Sequence, residues 1–174
     1  VLQDAPGRGL LVAPLDPSHV QHMYDIRAAI EGLAARRAAE FGADRAAKAG
    51  PALSEAGRKA VAAGSVAKMI AADMKFHAFF HELSGNALVA PTLSPHLTYM
   101  QRVMGQVLQR EHKPRDVWEE HAQLLQAVAD GDATRAEALA RAHVTAAADF
   151  MIAGLAEGAV PVAVVQAQPA AGPA

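Results

Sequence analysis

The sequence contains no cysteine, few aromatic residues and no hydrophobic run long enough to cross a bilayer. Without thiolates, both a cysteine-based zinc site and a disulfide framework are excluded. Because neither a signal peptide nor a membrane span is recognisable, a cytoplasmic location is the default expectation. The formal net charge is −2, so the chain has no overall basic surface for nucleic acid.

The 174 residues are 52% hydrophobic and contain long alanine-rich stretches, which is typical of a soluble helical bundle with one sizeable core. Apolar periodicity and capping residues predict six helices, over 17–41, 43–63, 65–84, 87–110, 114–129 and 132–156. We expect Gly42 to end the first helix and Gly50-Pro51 to break or kink the second. The predicted fold is therefore an all-α bundle.

Both ends of the chain are predicted to lie outside this bundle. The first residues read as an extended segment, with a turn at Gly7-Arg8-Gly9 and a strand from Leu10 to Ala13. Because the chain starts without methionine inside this unit, we expect it to come from a longer protein. Residues 158–174 are small, apolar and proline-rich, which predicts a disordered tail.

Four side chains of the metal-ligand type fall in the apolar faces of three predicted helices. They are Asp73, His77, His121 and His143. Asp73 and His77 are four residues apart, so they lie one above the other on the same helical face. A buried carboxylate and three buried imidazoles need partners, and one divalent metal would satisfy all four.

The spacing around Gly131-Asp132 supports a shared site. His121 lies 11 positions before Asp132 and His143 lies 11 positions after it. In an antiparallel hairpin with a rise of about 1.5 Å per residue, both rings stand roughly 16 Å from the turn. The alternative for any one histidine is a hydrogen-bonded core residue, but four such residues would need four separate partners.

This ligand set suits zinc, nickel, manganese, iron or cobalt, and it does not choose between them. An octahedral ion would keep two positions for water or for a small molecule with oxygen donors, which serves either catalysis or ligand capture. No free general base is obvious beside the ligands, and this favours capture. His81 could reach the cavity, although a histidine in that position is more often at the rim or surface.

Arg27 lies in the apolar face of the first predicted helix, where its charge needs a partner. Its planar fork matches a carboxylate through two hydrogen bonds. The partner is either a small organic acid beside the metal or Glu31, one helical turn further on. Arg102, near Tyr99, faces either the same cavity or solvent.

The same residues form an ordered set of motifs over about residues 10 to 155. The segments are YDIRAAIEGLAARRAA with Arg27 and Glu31, DMKFHAFFHELSGN with Asp73 and His77, EEHAQLLQAVADGD with His121, and Ala142-His143. In this set the chain resembles the FCD effector-binding domain of GntR-type bacterial transcription regulators, in the FadR-like branch.

The resemblance implies an antiparallel bundle of six to seven helices with a central metal bound by Asp73, His77, His121 and His143. It also implies a homodimer, a small carboxylate effector beside the metal, and operator DNA bound through an N-terminal winged helix-turn-helix domain. That domain is absent here, apart from residues 5–14, which look like the end of its wing. The effector-binding residues that we expect are Arg27, Arg102 and Asn86.

We therefore expect residues 1–14 to be a wing remnant and linker, 15–157 the FCD-like domain, and 158–174 the tail. The expected function is effector sensing rather than catalysis. The expected metal is zinc or nickel, with manganese, iron or cobalt as alternatives.

Two other classes of protein remain as alternatives. One is a mononuclear metalloenzyme or haemerythrin-like bundle. A di-iron centre is disfavoured because Met74, Trp118 and Ala140, not glutamates, stand three residues before the histidines. The other alternative is a dimerisation module with a purely structural metal.

Overall fold

The computed structural model describes residues 2–4, 10–12, 14–110 and 117–157. The described residues form five helices, named here α1 (Pro17–Ala62), α2 (Val66–Leu83), α3 (Val89–Leu108), α4 (Val117–Ala129) and α5 (Ala133–Glu157). Strands β1 (Leu2–Asp4) and β2 (Leu10–Val12) pair antiparallel, with Leu2 opposite Val12. The predicted all-α bundle is confirmed, as is a strand beginning at Leu10. That this strand belongs to the end of a wing stays a prediction.

The prediction of six to seven helices is wrong for the described residues, because α1 runs unbroken for 46 residues. Gly42 does not end it, and Gly50-Pro51 does not break it. The reason is close packing against other helices: Gly42 lies beside Leu83, Gly50 beside Leu125, and Gly57 beside Trp118. A side chain at any of these glycines would crowd or overlap its neighbour. The packing therefore outweighs the poor helix propensity of glycine and the backbone hydrogen bond that Pro51 removes.

The other helix boundaries follow the local signals in the sequence. Ser65 caps α2, and its side chain accepts a hydrogen bond from the backbone of Lys68. Gly85 and Gly131 adopt positive φ angles of 63° and 72° after α2 and α4, a conformation that glycine adopts without strain. Asp132 accepts from the backbone N–H of Arg135 at 3.0 Å, which starts α5. Residues 114–116 and 158–174, for which a helix start and a tail were predicted, lie outside the described residues.

The long helix α1 is the central element, since it packs against each of the other four helices. α4 and α5 form the predicted hairpin on one side of it, while α2 and α3 complete the bundle. One apolar cluster gathers around Phe76 and Trp118, and a second around Tyr24 and Met100. None of the helices in the described part of the chain combines the length and apolar character that a membrane span needs.

Candidate metal centre

Asp73, His77, His121 and His143 converge in the interior of the bundle. All four are buried, and one ligand atom from each lies within 4.8 Å of those from the others. α2 supplies Asp73 and His77, α4 supplies His121, and α5 supplies His143. The register argument around the α4–α5 turn therefore placed the two hairpin histidines at one level, as they are observed.

The distances between these ligand atoms are near those expected around a shared ion. His121 Nε2 lies 3.2 Å from His143 Nε2, and Asp73 Oδ1 lies 3.6 Å from His121 Nε2 and 3.8 Å from His77 Nε2. Two ligands about 2.1 Å from one metal are separated by roughly 3.0 to 3.4 Å at right or tetrahedral angles. His77 Nε2 is buried and has no hydrogen-bond partner among the described residues. The group could hold a metal ion.

Two further carboxylates lie against the imidazoles of the candidate ligands from outside the group. Glu31 Oε2 lies 3.3 Å from His77 Nδ1, and Glu120 Oε2 lies 2.8 Å from His143 Nδ1. If each Nδ1 donates its proton to the facing carboxylate, the lone pair of each Nε2 points into the group. Sequence reasoning missed both roles. It considered Glu31 only as a partner of Arg27, and the position of Glu120 directly before His121 was the only local signal.

Burial around His121 and His143 favours their neutral form, which is the metal-binding form. Burial lowers the pKa of His121, and the nearby His77 and His143 lower it further. Burial also lowers the pKa of His143, although its hydrogen bond to Glu120 acts in the opposite direction. His121 is held in place by Phe76, since the two rings stack at 4.0 Å with an interplanar angle of 16°.

Arg27 pairs with Glu31 beside this group. The Arg27 side chain is buried, and its Nε lies 3.3 Å from Glu31 Oε1. Burial would raise the pKa of Glu31, but His77, His81 and Arg27 together lower it well below its usual value. Glu31 is therefore ionised. The internal ion pair, one of the two alternatives for Arg27, is present, and Arg27 lines a cavity next to the candidate ligands as well.

Two cavities adjoin the group. The first cavity, of about 80 Å³, is bordered by Asp73, His143, Arg27 and Tyr24 and otherwise by apolar side chains. The second cavity, of about 580 Å³, lies between α1, α2 and α3 and is bordered by His77, His81, Glu31 and Arg27 among others. Arg27 is common to both, so its guanidinium lies between them. Only the first cavity touches ligands from two different helices.

The structure places the other predicted site residues as follows. Asn86 lies in the turn after α2, where its Oδ1 accepts from the backbone N–H of Leu88 at 3.0 Å. Arg102 is half-buried on α3. Within the described chain, neither side chain belongs to the lining of the two cavities, and their role with an effector stays a prediction. His81 is more buried than expected, with its Nε2 3.1 Å from Glu31 Oε2.

The fold and the site define a helical bundle domain built around a buried group that could hold a metal ion. The chain belongs to the FCD domain family, whose family model matches residues 22–146. The resemblance seen in the sequence motifs is thereby confirmed.

Among solved structures, the chain is similar to E. coli McbR/YncC, with a TM-score of 0.77 and 17% sequence identity. The alignment covers 90% of this chain and 77% of that chain. At this identity the likeness shows a shared fold. A search of curated proteins gives no significant match.

Proposed function

We propose that this domain is the ligand-sensing part of a GntR-type transcription regulator and binds a small carboxylate effector next to a divalent metal. One observation carries the proposal: four ligand atoms lie within 4.8 Å of one another, beside a cavity that also contains Arg27. A cation and a guanidinium facing one cavity form a site for an organic acid.

Asp73, His77, His121 and His143 would hold the metal, and Glu31 and Glu120 would fix the orientation of two of the imidazoles. Three neutral imidazoles and one carboxylate suit zinc or nickel first, with manganese, iron or cobalt as alternatives. The metal, when bound, supplies Lewis-acid coordination to an oxygen of the effector. With four protein ligands, an octahedral ion has room for such an oxygen.

Arg27 would orient the acid group. Its Nε faces Glu31 Oε1 at 3.3 Å, and Glu31 holds the arginine in place while itself being held by His77 and His81. A buried arginine fixed in this way loses little conformational freedom when it binds an acid. Arg27 therefore acts as the second anchor of the effector, opposite the metal.

The effector's contacts on α1, α2 and α5 would bias how these helices pack. α1 follows directly on residues 14–16, and the backbone N–H of Asp16 donates to the Tyr99 hydroxyl of α3 at 2.8 Å. A shift of α1 against α3 would thus reach the segment that precedes the bundle. We propose that residues 1–14 are a wing remnant and linker, through which the shift reaches an N-terminal domain bound to operator DNA. The coupling is allosteric only if effector and DNA change each other's affinity.

We also expect a homodimer in the cytoplasm. Ile26, Leu33 and Phe41 are exposed on the outer surface of α1, and their exposures are 52%, 42% and 69%. Their spacing of seven and eight residues places them along one side of the helix. A second copy of the chain would cover this apolar side. Light scattering of the purified protein measures the number of chains per particle.

The proposal is tested by elemental analysis of the purified chain, followed by titration of the full-length regulator on its operator with and without candidate acids. We expect about one metal ion per chain and a change in operator affinity with at least one acid. Metal-free protein from several preparations that also fails to take up added zinc or nickel would overturn the metal part. An operator affinity that no acid alters would overturn sensing.

A further inference from the structure

One of the three candidate imidazoles has no partner on its outer nitrogen. Glu31 faces His77 Nδ1 and Glu120 faces His143 Nδ1. His121 Nδ1, in contrast, is buried and has no hydrogen-bond partner among the described residues. A metal-bound histidine normally donates its second ring N–H to a neighbouring acceptor. The candidate metal centre is therefore incomplete unless another group accepts from His121.

A second buried atom without a partner lies on α1. Ser54 is buried, and its Oγ has no hydrogen bond to any part of the chain that the structure describes. A helical Ser or Thr hydroxyl can bond a backbone carbonyl of the preceding turn, as Thr92 does to Leu88 at 2.7 Å. The Ser54 hydroxyl lacks this local partner. A buried hydroxyl without a hydrogen bond costs free energy, so Ser54 needs a partner from another element.

Two close contacts fix the register between α1 and α4. A side chain at Gly50 would overlap Leu125, and a side chain at Gly57 would overlap Trp118. The two glycines are seven residues apart, as are Trp118 and Leu125, and the order along the chain is reversed. Seven residues are about two turns of an α-helix. The two helices therefore run antiparallel and in step over this distance.

This register sets Ser54 opposite His121. Ser54 follows Gly50 by four residues and precedes Gly57 by three. His121 precedes Leu125 by four residues and follows Trp118 by three, which is the matching position on α4. Residues three, four and seven apart share a helical face, so both side chains lie on the faces that pack together. The two atoms without partners thus belong to one helix interface.

The other contacts of His121 leave only Nδ1 for a partner outside the ligand group. Phe76 stacks on the ring at 4.0 Å. Nε2 lies 3.2 Å from His143 Nε2 and 3.6 Å from Asp73 Oδ1, so it is the nitrogen that faces the other candidate ligands. A metal held by this group would bind Nε2, and the proton of the neutral ring would then be on Nδ1.

We propose that Ser54 is the positioning residue for His121: its Oγ accepts the Nδ1 proton, and its own proton is donated to the backbone carbonyl of Gly50. A hydroxyl accepts and donates at the same time, and rotation about the Cα–Cβ bond of Ser54 moves Oγ between its staggered positions. The hydrogen bond keeps the proton on Nδ1 and the lone pair of Nε2 available to the metal. The inference rests on the proposed function, because it assumes that the group binds a metal.

A neutral hydroxyl also suits the charges of the site. A divalent metal and Arg27 would carry three positive charges, and Asp73, Glu31 and Glu120 carry three negative charges. A third carboxylate at the position of Ser54 would add a buried negative charge without a counter-charge. Ser54 therefore orients the third imidazole without disturbing this balance.

The test compares the zinc affinities of the unaltered chain, Ser54→Ala and Ser94→Ala by competition with a chromophoric chelator. Ser54→Ala removes only the hydroxyl, and alanine is the better helix former, so the variant keeps the helix. We expect its zinc affinity to fall about tenfold, at the lower end of the effect of altering a partner of a ligating histidine. Ser94→Ala is the control, because the exposed Ser94 hydroxyl bonds the Pro91 carbonyl of α3 at 3.0 Å. Its zinc affinity should be that of the unaltered chain.

Nitrogen-15 NMR of the histidine side chains separates orientation from packing. In the zinc-loaded chain we expect the proton of His121 on Nδ1, and we expect its resonance to move upfield in Ser54→Ala because the hydrogen bond is lost. The Nδ1 protons of His77 and His143 should keep their resonances, since Glu31 and Glu120 are unaltered. Weaker zinc binding with an unmoved His121 resonance would overturn the positioning role and indicate an effect of packing.

The outcomes separate this inference from the function on which it rests. If the unaltered chain takes up zinc and Ser54→Ala binds it as tightly, Ser54 does not position His121, while the metal site stands. If the unaltered chain takes up no zinc, the metal site and the role of Ser54 fail together.

Discussion

Glu120 Oε2 lies 2.8 Å from His143 Nδ1 and so fixes a candidate metal ligand of α5 from the neighbouring helix α4. The next residue of α4, His121, is itself a candidate ligand, and its Nε2 lies 3.2 Å from His143 Nε2. Two consecutive residues of α4 therefore contact the two nitrogens of a single imidazole. This arrangement makes the orientation of His143 depend on the α4–α5 packing rather than on its own rotamer alone.

The first prediction concerns this carboxylate. Glu120→Gln keeps the size of the side chain but removes the charge that holds the Nδ1 proton of His143. We expect metal affinity to fall by about 10- to 100-fold, as is usual when a partner of a ligating histidine is altered. Competition with a chromophoric chelator measures it. Glu119→Gln, on the exposed side of the same turn, is the control, and equal affinities in the two variants would contradict the orienting role.

The second prediction is that the metal-free chain loses stability as the pH falls from about 7 to about 5. Burial lowers the pKa of both His121 and His143 below the usual value of 6.5. Below that value the unfolded chain binds protons that the folded chain does not, so the free energy of unfolding decreases with falling pH. Each histidine contributes a slope of up to about 1.4 kcal/mol per pH unit.

Urea denaturation followed by circular dichroism at several pH values measures this slope. His121→Gln should reduce it by the share of one histidine, whereas His22→Gln, at an exposed position of α1, should leave it unchanged. A stability that is flat or rises on acidification within this range would show that the buried imidazoles do not resist protonation.

The third prediction uses two helical glycines with opposite surroundings. A side chain at Gly57 would overlap the ring of Trp118, whereas one at Gly105 meets only Ile70 Cδ1 at 4.0 Å. We expect Gly57→Ala to destabilise the chain by about 1–3 kcal/mol through overpacking. Gly105→Ala should stabilise it by about 0.5–1 kcal/mol, because alanine is the better helix former. Chemical denaturation measures both changes in stability. If Gly105→Ala destabilised the chain while Gly57→Ala did not, the packing argument would be contradicted.

The candidate ligands could be predicted from the sequence because their signal is local. Asp73 and His77 share a helical face, and His121 and His143 are equidistant from one turn, so periodicity and rise per residue were sufficient. The orienting carboxylates Glu31 and Glu120 could not be predicted in that way. Their roles depend on which helices become neighbours and at what angle, which no spacing within one helix shows.

The continuity of α1 escaped prediction for a related reason. Gly42, Gly50 and Pro51 read as helix breakers when only the local chain is considered. The two glycines fit within the helix because other helices approach closely there: Gly42 is next to Leu83 and Gly50 next to Leu125. The benefit of that approach comes from tertiary packing, which outweighs a propensity cost of about 1 kcal/mol per glycine.

The last prediction separates the two anchors proposed for the effector. Arg27→Lys keeps a positive charge opposite Glu31 and so avoids leaving a buried carboxylate unpaired. Lysine is a point charge and cannot form the two parallel hydrogen bonds that a guanidinium gives to an acid. We therefore expect the affinity for acetate, used as the simplest probe acid, to fall at least about tenfold, a loss of about 1.4 kcal/mol, while the metal content stays that of the unaltered chain.

Calorimetry and elemental analysis on the same preparation check both parts of this expectation. Arg36→Lys is the matched control, since Arg36 lies on the same helix but is 55% exposed and pairs with Glu40 at the surface. Acetate affinity that is equal in the two variants would remove Arg27 from the binding site. Loss of metal from Arg27→Lys would instead show that the Arg27–Glu31 pair supports the metal through His77, because Glu31 faces both Arg27 and the Nδ1 of that ligand.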